Sequence, residues 1–93
     1  MRYAKFGNTD MVVSEIALGT WGIGGASWGD NSEDTRLDAI RSAVESGINF
    51  IDTAPAYNGG VAESYVGKVI SSMGIRKELY LVTKCGTEFI DVK

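Results

Sequence analysis

Two segments of helical periodicity, each leading into a short apolar run, constrain this chain more than any other feature. Leu37, Ile40 and Val44 recur at helical spacing behind Asn31-Ser32-Glu33-Asp34, which supplies capping side chains and first-turn acids, and the pattern ends at Gly47. Val61, Tyr65, Val66, Val69, Ile70 and Met73 mark a second amphipathic helix that ends at Gly74. The runs Ile48-Asn49-Phe50-Ile51 and Leu79-Tyr80-Leu81-Val82 follow these helices as strand candidates, and residues 52–60 form the loop between the first run and the second helix. Upstream, Tyr3 to Phe6 and Met11 to Val13 flank the polar turn cluster Gly7-Asn8-Thr9-Asp10 and predict a hairpin that caps something. Ile16-Ala17-Leu18 is a third apolar run, closed by the glycine-rich segment from Gly19 to Gly29, which predicts a loop. Hairpin, strand, helix, strand, helix, strand is the order of consecutive right-handed crossover units, whose strands lie parallel. Residues just after adjacent parallel strands emerge on one edge, where barrel and open-sheet enzymes build their sites. Topology therefore predicts Asp52 and Lys84 side by side.

Composition narrows the function classes. Of 93 residues, 44% are hydrophobic and 23% charged, enough apolar material for a core and too ordered a balance for a disordered chain. Nine basic against twelve acidic residues give a net charge of −3, with no basic run to follow a phosphate backbone, so nucleic acid is not expected as a partner. No apolar stretch approaches a membrane span, and Met1-Arg2-Tyr3-Ala4-Lys5-Phe6 lacks the apolar core of a signal peptide, so the expected location is cytoplasmic, with no membrane partner. A single cysteine, Cys85, and no histidine at all leave neither an internal disulfide nor metal-ligand spacing, and no metal is expected. Cys85 reads as a small buried residue at a strand end. Gly22, Gly24 and Gly25 do not form the dinucleotide fingerprint of a strand-to-helix turn.

The chemistry concentrates in Ile51-Asp52-Thr53-Ala54-Pro55-Ala56-Tyr57 and Leu79-Tyr80-Leu81-Val82-Thr83-Lys84, which place a carboxylate, a phenol and an amine beyond two strand ends. A phenol titrates near pH ~10, so donating its proton at neutral pH requires a neighbouring cation, and that cation requires a counter-charge. Tyr57, Lys84 and Asp52 fit those roles. Singly, each has a plainer reading: a loop cap for Asp52, a packing residue for Tyr57, a solvated charge for Lys84.

At these residues the chain resembles the aldo-keto reductases, which reduce carbonyls with a nicotinamide hydride at the mouth of a (β/α)8 barrel. The stretch Gly47 to Ala54, then Tyr57, Glu63 and Gly67, is similar to the family's signature, and Leu18-Gly19-Thr20-Trp21 to its first strand and loop. The run from Gly22 to Gly29 looks more like bacterial members. The resemblance implies an NADPH-dependent reductase of aldehydes or ketones. It makes Tyr57 the general acid, Lys84 the group easing its deprotonation and Asp52 the partner orienting Lys84. It sets Gly19, Thr20, Trp21 and Asp52 near the nicotinamide, with Trp21, Trp28 and Tyr57 toward the substrate, a small carbonyl compound. Glu63 reads as a negative charge suiting a helix start, and Gly67 as a close-packing point.

The expected fold is α/β: an N-terminal hairpin cap (1–14) followed by the first βαβαβ units (15–93) of a (β/α)8 TIM barrel, one incomplete domain over 1–93. Such barrels need ~250 residues, so the chain reads as the first third of a larger domain. The family's fourth-strand histidine and its later phosphate-gripping loops are absent. The 93-residue chain alone is therefore expected to be inactive, and its open sheet edges to favour self-association. The alternative is a binding or regulatory subunit that kept the reductase fold, as the family's potassium-channel β subunits did.

Overall fold

The computed structural model describes residues 1–24, 33–55 and 57–86. A two-stranded antiparallel hairpin opens the chain, with β1 (Tyr3–Lys5) and β2 (Val12–Ser14) in the register Tyr3 opposite Ser14. Three parallel strands follow in the spatial order β3 (Leu18–Gly19), β4 (Phe50–Asp52), β5 (Tyr80–Val82). The connection from β3 to β4 carries a helical turn, α1 (Trp21–Gly24), and the helix α2 (Glu33–Glu45). The connection from β4 to β5 carries a 3-10 turn (Tyr57–Gly60), the helix α3 (Val61–Met73) and a second 3-10 turn (Arg76–Glu78). Parallel pairing and the two crossovers agree with the sequence-based topology.

The helical periodicities become the core. Ile40 from α2 and Val66, Val69 and Ile70 from α3 close over Ile51 and Leu79 of the sheet layer. Ile40 and Ile51 are wholly buried, so each apolar side chain contributes the ~1.5–3 kcal/mol typical of full burial. α3 stops where the sequence predicts. Gly74 takes a left-handed φ of 65° and donates its N–H back to the Ile70 and Ser71 carbonyls, a turn an L side chain would strain.

A polar staple fastens the hairpin to the N-terminal ends of the parallel strands. The Asn49 side chain accepts from the Ser14 N–H at 2.7 Å and donates to the Val12 carbonyl at 2.9 Å. The Asn49 N–H donates to Ser14 Oγ at 3.2 Å, and its carbonyl accepts from the Tyr80 N–H at 2.7 Å. One residue thus joins the hairpin, β4 and β5. Tyr3 Oη donates to the Gly47 carbonyl at 2.7 Å, and Phe6 meets Phe50 with ring centroids 5.4 Å apart. Gly47, three residues before β4, holds φ 102°, a backbone that L side chains rarely adopt, and a Cβ there would also lie 2.9 Å from Tyr3 Oη and 3.1 Å from Met1 Cβ.

Several sequence-based details are corrected. The glycine-rich segment expected to be all loop contains the helical turn Trp21–Gly24, and the loop expected over residues 52–60 contains the 3-10 turn Tyr57–Gly60. Ile16 stands 61% exposed ahead of β3, which is reduced to Leu18 and Gly19. The strand expected over Ile48–Ile51 starts two residues later and ends one residue later, with Asn49 engaged by the hairpin, so Asp52 ends β4 instead of following it. Cys85, expected to be buried at a strand end, is exposed, three residues past the end of β5. Among the described residues Gly67 is no packing point, since a Cβ there meets nothing within 4 Å. It lines an open groove of about 610 Å³ with Ile70, Ser71, Gly74, Arg76 and Leu81.

Candidate active site

The C-terminal ends of the parallel strands gather the candidate residues. Asp52 sits at the middle, paired with Gly19 on one side and Val82 on the other. Its carbonyl accepts both the Thr20 N–H at 3.1 Å and the Thr20 hydroxyl at 3.0 Å. Thr20 is wholly buried, so its hydroxyl fixes the strand end. Trp21 follows at the start of α1 and is 54% exposed, which leaves an aromatic surface at the mouth of this edge.

On the other side of Asp52, the Thr53 N–H donates to the Val82 carbonyl at 2.8 Å, so β4 and β5 stay paired one residue past the strand. Lys84 then reaches back across the edge. Its Nζ donates to Asp52 Oδ1 at 2.7 Å and to the Thr53 carbonyl at 2.8 Å. The ammonium has three donors, and these two acceptors from consecutive residues fix its direction as well as its charge.

Stability does not account for this pair. The side chains of Lys84 and Asp52 are 46% and 42% exposed, and ion pairs this accessible contribute ~0–1 kcal/mol. A half-exposed ammonium clamped by a carboxylate and a carbonyl is instead suited to imposing charge on a neighbouring group. Tyr57 opens the 3-10 turn that leads into α3. The Tyr57 side chain and Trp28 lie outside the described residues.

A further contact was not read from the sequence. Thr83 Oγ1 donates to Glu63 Oε2 at 2.6 Å, tying the residue before Lys84 to the first turn of α3. Both residues stand on the predicted site edge, and that adjacency was the available signal. Glu63 alone suggested only a favourable charge near a helix start. Among the described residues no group of histidine, cysteine or acidic side chains could hold a metal ion. No described helix is long and apolar enough to cross a membrane.

Comparison with known proteins decides the family. The sequence pattern of the Aldo/keto reductase family matches residues 15–93. The chain belongs to the aldo/keto reductase family. It is 44% identical over 89 residues to the aldo-keto reductase YhdN of Bacillus subtilis, covering 96% of this chain and 27% of that protein. It is 42% identical over 88 residues to the NADH-specific methylglyoxal reductase of Escherichia coli, covering 92% of this chain and 27% of that protein. The fold superposes on the aldo-keto reductase AKR11C1 from Bacillus halodurans, solved in its holo form, with a TM-score of 0.82 at 32% identity, over 97% of this chain and 28% of that one. The chain thus spans about a quarter of the length of the relatives it matches. Its architecture is the N-terminal hairpin and first βαβαβ units of an aldo-keto reductase TIM barrel.

Proposed function

We propose that these residues form the N-terminal portion of an oxidoreductase that reduces an aldehyde or ketone to an alcohol, with Tyr57 as proton donor. The observation that carries the reading is Lys84 Nζ held between Asp52 Oδ1 and the Thr53 carbonyl at the C-terminal edge of the parallel strands. Membership of a reductase family supports it.

The cofactor proposed is NADPH, which would supply the hydride to the carbonyl carbon. The residues present suit a nicotinamide ring. Among the described residues Gly19 leaves open space where a Cβ would stand, Trp21 offers a half-exposed aromatic face, and Asp52, paired with Gly19, has a partly accessible carboxylate. In the proton half of the reaction, Tyr57 hands its proton to the developing alkoxide. Lys84 stabilises the phenolate left behind, and Asp52 with the Thr53 carbonyl keeps the ammonium aimed. Positioned acid catalysis of this kind is worth ~10²–10⁴-fold in rate. The substrate is proposed to be a small carbonyl compound, and the compartment the cytoplasm.

The activity is assigned to a barrel-length chain, because a proton donor without a held hydride source reduces nothing. Two measurements test this. In a barrel-length chain carrying these residues, Tyr57→Phe should abolish carbonyl-dependent NADPH oxidation while NADPH binding persists; undiminished turnover would reject Tyr57 as the acid. For residues 1–93 alone, NADPH should leave the fluorescence of Trp21 and Trp28 unchanged, and saturable quenching would mean that the cofactor site assembles within them.

A further inference from the structure

The candidate acid and the candidate cation stand on different segments: Tyr57 precedes α3, and Lys84 follows β5. The value of Lys84 to Tyr57 depends on their separation, since Coulomb energy falls with distance and misplacement of a catalytic group by about 1 Å can cost ~10²-fold. Asp52 and the Thr53 carbonyl fix the ammonium relative to β4.

The Thr83–Glu63 hydrogen bond ties the strand-end segment that carries Lys84 to α3, the helix that follows the Tyr57 turn. Glu63 lies in the first turn of α3, three residues past the 3-10 turn that Tyr57 opens, and Thr83 is the residue before Lys84. At 2.6 Å the bond is in the range of a hydroxyl donating to a carboxylate, roughly twice as strong as its neutral counterpart. It joins α3 to the strand-end segment directly on the site edge. Thr83 itself is exposed, so the contact is not a by-product of core packing.

We propose that Glu63 and Thr83 are positioning residues of this reductase, setting the distance between Lys84 and the segment bearing Tyr57. The proposal rests on the reading of Lys84 and Tyr57 given above. The charge of Glu63 and its hydrogen-bonding role separate by substitution. Glu63→Gln removes the charge and keeps an acceptor, Thr83→Val removes the donor and keeps the charge, and Thr83→Ser keeps the hydroxyl.

The test uses a barrel-length chain carrying these residues. Thr83→Val and Glu63→Ala should each lower kcat by about tenfold, a fraction of the loss for outright misplacement, with KM for NADPH unchanged and the Lys84 Nζ resonance moved toward that of solvated lysines. Thr83→Ser should restore kcat and the resonance, and Glu63→Gln should fall between. Should Thr83→Val not fold, the Thr83→Ser and Glu63→Gln pair reads the same ordering. Wild-type kcat and an unmoved Lys84 resonance in Thr83→Val or Glu63→Ala would overturn the proposal. So would a kcat loss in Glu63→Gln equal to that in Glu63→Ala, since charge alone would then explain it. Undiminished kcat in Lys84→Met would instead reject the reading of Lys84 on which the proposal rests.

Discussion

The two ends of the parallel sheet are fastened by different chemistry. At the N-terminal ends of the strands, Asn49, Ser14 and Tyr3 bond almost entirely to backbone groups, all neutral, and Phe6 packs on Phe50. At the C-terminal ends, the buried Thr20 hydroxyl and the Lys84 ammonium also reach backbone carbonyls, but this end adds what the first lacks: an ammonium on a carboxylate and a hydroxyl on a carboxylate, both accessible. Neutral bonds to backbone satisfy groups that burial would otherwise penalise, and each adds ~0.5–1.5 kcal/mol. Exposed ionic contacts add little stability and hold charge where another molecule can meet it. The first end closes the fold, and the second is available for chemistry.

That contrast fails if charges at the second end prove structural. The largest expected effect is on activity: in a barrel-length chain, Lys84→Met should lower kcat by roughly 10²–10⁴-fold while Tm moves little, read by steady-state kinetics and a thermal melt. A large fall in Tm would place Lys84 with the structural contacts. At the opposite end the pattern should invert. Asn49→Ala strands the Ser14 N–H and the Val12 carbonyl and should cost about 1–3 kcal/mol in denaturant unfolding, with kcat of the folded enzyme retained. Gly47→Ala forces a side chain to adopt φ 102° against Tyr3 Oη, and a loss of about 1–3 kcal/mol is expected.

The smallest effect concerns Lys68, which bridges from α3 to Glu33 at the start of α2. The hydrogen bond and charge of Glu33 raise the Lys68 amine above its ordinary value of 10.5. Because the folded-state value is the higher one, any stabilisation is fully present at neutral pH and is lost only as pH rises past that raised value. Glu33→Gln should return the Lys68 titration, followed by NMR, toward 10.5, with no change in Tm at high salt. A salt-insensitive loss of Tm would show that exposed pairs hold this fold together after all.

How much of this was legible in the sequence follows the same division. Helical spacing located α2 and α3 and ended the latter at Gly74, because burial periodicity and a left-handed cap are written into residue types. Parallel topology then placed Asp52 beside Lys84. The polar stitching was not legible. Asn49 reads as part of an apolar run, yet its amide defines the hairpin's seat, and β4 starts one residue after it, at Phe50. Thr83 and Glu63 meet across twenty positions, and nothing in either residue's local sequence announces the other. The misreading of Gly67 has a similar origin, since a glycine in a helix signals close approach only where a partner segment exists to approach.

The hairpin turn around Gly7 to Asp10 is exposed and lies at the end of the sheet remote from Lys84. Its bonds, Phe6 N–H to the Met11 carbonyl and Thr9 to Phe6, are local. The turn is therefore a natural insertion point: an epitope, a fluorophore or an immobilisation peptide grafted there would label the protein without approaching its charged edge.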